Sequence, residues 1–168
     1  MTQLITKTNP MKKWLFFSTL IVLGVLVLSC EKDDDDDNSR KALLTGETWI
    51  VTSKPITPAV SLMGTTISDI SILDSEEVRN YTYKYNEDGT MIQYDSSNQE
   101  IFQTTWSFNT DETILTHNPG IVFNYPIVGD ISLTQATIVS ITADNMVMSI
   151  PSTYDGVNYT VTLNFEAK

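Results

Sequence analysis

Along Val157–Glu166, written VNYTVTLNFE, apolar and polar residues alternate without a break. Val157, Tyr159, Val161, Leu163 and Phe165 fall on one face, and Asn158, Thr160, Thr162, Asn164 and Glu166 on the other. Successive side chains of a strand point to opposite sides, so this period of two predicts a half-buried antiparallel strand. YTYKYNEDGTMIQY predicts a hairpin in which Tyr81, Tyr83 and Tyr85 share a face and NEDG supplies the turn, with Gly89 free to take positive φ. TTWSFNTDETILTH repeats that design, placing Trp106 and Phe108 before a turn at Asn109–Glu112. ATIVSITADNMVMSIP is a third hairpin, turning at Ala143–Asn145. With GETWIVTS in front, eight strands are predicted: 47–53, 79–86, 90–95, 101–108, 113–117, 136–142, 145–150 and 157–166.

Two stretches break the rhythm. SKPITPAVSLMGTTISDISILDSEEV opens as loop at Pro55 and Pro58, and Ile67, Ile70 and Leu73 fall at about helical spacing, which predicts a short capping helix. NPGIVFNYPIVGDISLTQ reads as a long loop or an extra strand pair. Short strands, tight turns and almost no helical pattern predict an all-β fold, an antiparallel up-and-down β-barrel of about eight strands whose closure removes exposed edges.

The N-terminal segment follows another logic. Lys12 and Lys13 precede an apolar run of 16 residues, Trp14–Ser29. That is short of the ~20 residues needed to span a hydrocarbon core and suits a secretory signal peptide, with an uncleaved anchor as the alternative. Met11 is an alternative start to Met1. The run ends at Cys30, the sole cysteine, so no disulfide can form within the chain. Five consecutive aspartates follow at Asp33–Asp37, a like-charged block with nothing apolar to offset ordering. It reads as a solvated spacer; a calcium site there would be poorly preorganised. From Cys30 onward the chain carries 7 basic and 21 acidic side chains, a net of −14. Such a surface repels phosphates and excludes nucleic acid as a partner. Residues 1–29 thus form the signal, 30–42 an acidic tether, and 43–168 the barrel.

VLSC, Val27–Cys30, resembles the lipobox of bacterial lipoproteins. That resemblance implies that Cys30 becomes the first residue of the mature protein and carries acyl chains, palmitate among them. A thioether to diacylglycerol needs a thiol, and several chains are needed for stable anchoring, since each buried methylene contributes only ~0.8 kcal/mol. CEKDDDDD is similar to the export signal of Bacteroidetes-type bacteria that sends lipoproteins to the outer leaflet of the outer membrane. The implied location is the outer membrane, exposed at the cell surface, with a periplasm-facing orientation as the alternative. LLTGETW, YTYKYNEDGTMIQY and TTWSFNTDETILTH resemble the lipocalin-like domains of Bacteroidetes lipoproteins over Leu43–Lys168. One departure is that Gly46 and Trp49 are separated by two residues, where lipocalins carry Gly-x-Trp.

The sequence offers little for catalysis. His117 is the single histidine, in a strand-like ILTH beside NPG, and is expected at the surface or in a turn. Cys30 is committed to lipid, so neither a Cys–His nor a Ser–His–acid set has a second candidate. Metal-ligand spacing and phosphate-cradling glycine loops are both missing from the sequence, and neither metal nor cofactor is expected. The acidic pairs Glu76–Glu77, Glu87–Asp88 and Asp111–Glu112 fall in turns or loop, although two distant acids could still serve a glycosidase. For binding, Tyr81, Tyr83, Tyr85, Trp106 and Phe108 are the candidates, concentrated on two strands that flank 90–95. Facing inward they would line an apolar pocket with hydroxyl handles, or simply fill the core. Met91, Met146 and Met148 allow the same two readings. The expected function is therefore an outer-membrane lipoprotein with a barrel that binds a small apolar ligand or serves as an accessory module. The alternative is a structural or protein-interaction lipoprotein with a filled barrel and an unidentified protein partner.

Overall fold

A computed structural model describes residues 39–168; the expected signal segment and the expected tether before residue 39, with Cys30 and the aspartate run, lie outside the described residues. Strands β1 (Thr48–Ser53), β4 (Thr82–Tyr85), β5 (Thr90–Tyr94), β6 (Glu100–Phe108), β7 (Ile114–Tyr125), β8 (Gly129–Ile141), β9 (Asn145–Tyr154) and β10 (Val157–Ala167) pair in that order, all antiparallel. β1 also pairs with β10, Trp49 opposite Ala167 and Val51 opposite Phe165. The sheet therefore closes into an eight-stranded up-and-down barrel, the architecture predicted from the alternation.

The alternation also sets what fills it. Val161, Leu163 and Phe165 of β10 are all buried, and opposite them on β9 Met146, Met148 and Ile150 are too. Trp49, Tyr83, Tyr85, Met91, Leu115, Ile131, Leu133 and Ile138 complete the interior. Fully burying each such side chain contributes about 1.5–3 kcal/mol. This is a packed core rather than a hollow calyx.

One end of the barrel is plugged by helix α1 (Arg40–Gly46). Its N-cap, Ser39, accepts the Ala42 N–H at 3.0 Å, and Leu44 is wholly buried. The Trp49 indole donates to the Leu44 carbonyl at 2.9 Å, while Arg40 donates to the Ile138 carbonyl at 2.9 Å and Lys84 to the Thr45 carbonyl at 2.9 Å. Residues 39–42, expected to belong to a tether, instead cap and begin this helix. Its apolar Leu43–Leu44 pair outweighs the polar composition before it.

The other end is built from the two stretches that looked irregular. After β1 the chain continues as β2 (Pro55–Leu62), whose Ile56 and Thr57 pair with Val161 and Thr160, and folds back as β3 (Thr65–Asp69). A hairpin therefore stands where loop and helix were expected. Pro58 falls in the register shift between Pro55 and Val60, an interruption of the ladder where proline is tolerated, and Val60 and Ile67 pair across the hairpin, both buried. Ile67, Ile70 and Leu73 do face the core, but from β3 and a 3-10 turn (Ile70–Leu73) rather than one helix. A short helix α2 (Glu76–Arg79), capped by Ser75, delays β4 to Thr82, so Tyr81 precedes the strand it was expected to join.

Residues 118–135 continue β7 and β8 rather than forming a loop. Between Thr116 and Ile121 β7 advances five positions while β8 moves two, from Gln135 to Leu133. The surplus forms a bulge that bends β7 outward. Gly120 sits inside it, where an added Cβ would meet the Thr134 backbone at 3.1 Å, so the close approach of the two strands requires glycine.

Candidate functional site

The bend in β7 opens the barrel wall. β6 pairs with β7 from Phe108–Leu115 only as far as Thr105–Asn118, although β6 begins at Glu100 and β7 runs to Tyr125. Beyond that point Thr104 Oγ1 donates to the Pro119 carbonyl at 2.6 Å, a side-chain hydrogen bond in place of the backbone ladder. Against the departing strand lies the segment between β3 and β4. Together they enclose a cleft of about 230 Å³, walled by Leu73, Asp74, Ser75, Val78 and Tyr81 on one side and Ile121–Tyr125 on the other, with Gln93 of β5 at the barrel wall. Drug-sized ligands occupy roughly 300–1,000 Å³; this cleft suits something smaller.

A buried polar triad joins the two walls. Lys54, at the junction of β1 and β2, places Nζ 2.7 Å from Asp74 Oδ2 and donates to the Tyr125 hydroxyl at 2.8 Å. That hydroxyl donates in turn to Asp74 Oδ1 at 2.7 Å. The three residues are only 3%, 8% and 4% exposed for Lys54, Asp74 and Tyr125. The ammonium also sits 4.6 Å from the Phe123 ring centroid, within cation–π range. Burial pulls the Lys54 ammonium below its usual range, against the opposing hydrogen bond and charge of Asp74 and the charge of Asp69. Burial, then the hydrogen bond to Asp74, pushes the Tyr125 phenol up. Asp69 Oδ1 accepts the N–H groups of Lys54 and Ser71 at 3.0 and 2.9 Å. Burial alone would raise that carboxyl, but these bonds and the Lys54 charge hold it below the ordinary carboxylate range. A buried charge that loses its partner is costly, so the triad fixes the geometry of the cleft floor.

The residues predicted as ligand contacts divide. Tyr81 lines the cleft. Tyr83, Tyr85 and Trp106 are buried and Phe108 half-buried within the barrel, away from it. They form an edge-to-face run, Tyr85–Trp106 and Trp106–Phe108 both at 5.7 Å between centroids, with Tyr83 set against Phe165 at 6.1 Å. The Trp106 indole is held by the Thr90 carbonyl at 3.0 Å. Met91, Met146 and Met148 are wholly buried in the same packing. His117 corrects its expectation: it is 1% exposed, pointing into the barrel with Nε2 3.1 Å from the Tyr85 hydroxyl and Nδ1 without a hydrogen-bond partner. The alternation Leu115–His117 places it inward, which the neighbouring NPG obscured. Glu76–Glu77, Glu87–Asp88 and Asp111–Glu112 lie in α2 or in turns, and among the described residues no three potential ligating groups converge on a metal site.

Lys54, Asp74, Gln93, Phe123 and Tyr125 carried no motif. The one legible hint was a lysine between apolar strand residues in VTSKPI.

Fold and cleft define a closed antiparallel barrel with a recess at one mouth, sized for a small molecule. No protein-family model matches the chain, and no curated protein matches it. Among solved structures, the chain is similar to a bovine odorant-binding protein in complex with a selenium-containing odorant, at a TM-score of 0.35 and 13% identity over 77% of this chain and 73% of that one.

Proposed function

We propose that this chain is a lipid-anchored binding protein of lipocalin-like type, held through Cys30 on the outer membrane and facing the cell exterior, and that it binds a small, largely apolar molecule in the mouth cleft without transforming it. The cleft is the observation that carries the binding half. It is a concave recess with walls from Leu73, Val78, Ile121 and Phe123, and its single charged lining residue, Asp74, is already paired to Lys54. Small-molecule sites are mostly apolar recesses with a few placed polar groups, and they favour the mouths of β-barrels. The packed interior argues that the ligand sits at the mouth and not in the depth of the barrel. VLSC and the acidic block after it support the anchor and the outward orientation.

The test has two arms. Metabolic labelling with an alkyne palmitate should label the native chain and fail on Cys30→Ser, which should also leave the membrane fraction; a Cys30→Ser chain retained in membranes overturns the anchor. Fragment screening by melting-temperature shift should give hits that Val78→Trp, filling the cleft, abolishes; hits indifferent to Val78→Trp overturn the site. A second reading, a protein-interaction module, is favoured by the filled barrel and by the fully exposed Met63 at the tip of the β2–β3 hairpin.

A further inference from the structure

Resting on the cleft as the binding site, we infer that its ligand is a small apolar aldehyde, held as a reversible imine on Lys54 Nζ while Asp74 and Tyr125 move the protons. Lys54 is the one buried cation among the described residues. Lysine is almost never fully buried unless paired, and apolar residues in place of a buried ion pair are often neutral or stabilising. Stability alone therefore explains this pair weakly. The position of the ammonium is the second observation. Its neighbours are Asp74 Oδ2 at 2.7 Å, the Tyr125 hydroxyl at 2.8 Å and the Phe123 ring centroid at 4.6 Å, and all three residues wall the cleft. Lys54 stands directly behind that wall, so a carbonyl carried to the floor reaches the nitrogen between these side chains. The apolar body lies against Leu73, Val78, Ile121 and the rings of Tyr81 and Phe123.

Burial favours the uncharged, nucleophilic form of this amine over the ammonium. Burial also pushes the Tyr125 phenol up, so it remains a proton donor at neutral pH. The atoms balance without a co-reactant. Asp74 takes one proton from the ammonium, the freed lone pair adds to the carbonyl carbon, and Tyr125 protonates the carbonyl oxygen, giving a carbinolamine. Tyr125, which donates to Asp74 Oδ1 at 2.7 Å, is restored by the proton held there. A second nitrogen proton follows the same path, the C–O bond breaks and water leaves as C=N forms. Two of the ammonium protons end on the departing oxygen and the third stays on the iminium nitrogen. The iminium keeps its positive charge beside Asp74, so no buried charge is left uncompensated. Addition of water reverses the sequence and returns the aldehyde unchanged.

The probe is benzaldehyde, added in limiting amount to the full chain in phosphatidylcholine nanodiscs at neutral pH. Sodium cyanoborohydride reduces any iminium to a stable benzyl amine, which peptide mapping by mass spectrometry locates. Lys54 should carry about tenfold or more of the label found on the exposed Lys41 and Lys168, since each pH unit taken off an ammonium's ordinary value multiplies the free amine tenfold. A buried lysine with only a structural role is labelled last, so Lys54 labelled no more than Lys41 and Lys168 overturns the imine. Lys54→Met with Asp74→Leu should remove the excess label, and the mapping on the native chain stands whether or not that variant folds. Benzyl alcohol, with the same ring and no carbonyl, separates the imine from the cleft. If Lys54 shows no excess label while the alcohol shifts the melting temperature and Val78→Trp abolishes that shift, the imine falls and the cleft stands. No excess label and no shift that depends on Val78 overturns both. Excess label undiminished in Val78→Trp overturns the cleft as its route, and the inference with it.

Discussion

The protein should lose stability in mild acid through one residue. His117 is the single histidine, and burial holds its imidazole down at about 4 from an ordinary 6.5, the Leu133 backbone opposing only in part. In the unfolded chain the ring protonates near 6.5; in the barrel it stays neutral until about pH 4. Between these values the unfolded state binds the extra proton, so unfolding becomes easier as pH falls, and below the lower value the penalty is constant. At ~1.4 kcal/mol per pH unit, the gap amounts to about 3 kcal/mol. That is a large fraction of a typical net stability of roughly 5–15 kcal/mol. Urea denaturation followed by tryptophan fluorescence, at intervals from pH 7.5 to 4 and on protein without a histidine tag, measures it. His117→Gln keeps a hydrogen-bonding group for Tyr85 and does not titrate, so its stability should be nearly flat between pH 6.5 and 5. Native and variant chains losing stability in parallel across that window would show that His117 is not the group responsible.

Other expectations are equally specific. Lys54→Met leaves Asp74 buried without its cation and should destabilise by about 3–5 kcal/mol, whereas Lys54→Met with Asp74→Leu should recover much of that, read from chemical denaturation as a double-mutant cycle. Gly129, at φ +70° in the β7–β8 turn, would bring an added Cβ within 2.6 Å of the Tyr154 ring. Gly129→Ala should therefore lower stability by roughly 1–3 kcal/mol, visible in thermal melts, while Gly46→Ala, where a Cβ meets nothing within 4 Å, should change little. Leu44→Ala empties the plug beneath α1 and should cost about 2–5 kcal/mol, with earlier hydrogen exchange in α1 than in β9 and β10.

Strands were legible wherever one face is buried and the other wet. β10 shows the alternation from end to end, and β5, β6 and β9 follow within a residue or two of their predicted starts. The mouth was illegible for a physical reason. β2 carries prolines that read as loop, and its pairing with β10 is brief. β7 and β8 pass through a bulge that shifts the period of two, interrupting β7 and putting the first half of β8 out of phase with the half that the alternation marked. The cleft arises from that bulge and from the convergence of segments far apart in sequence, Lys54 with Asp74 and Tyr125. No local pattern encodes such a meeting. Tyr83 and Tyr85 turn inward, but inward here means a packed core, while Tyr81 stands before the strand and lines the cleft. The eight strands close so tightly on Trp49, Tyr85, Met91 and Met146 that the space for a ligand is displaced to the mouth.

A membrane-anchored barrel with a small molecule in its mouth cleft should be visible by native mass spectrometry of the full chain, purified from its own membranes in parallel with Val78→Trp. The native chain should carry a diacylglycerol-modified Cys30 and a small, largely apolar adduct, with the adduct lost and the lipid retained in Val78→Trp. A native chain with neither lipid nor adduct, or an adduct that persists when the cleft is filled, would overturn the proposed function.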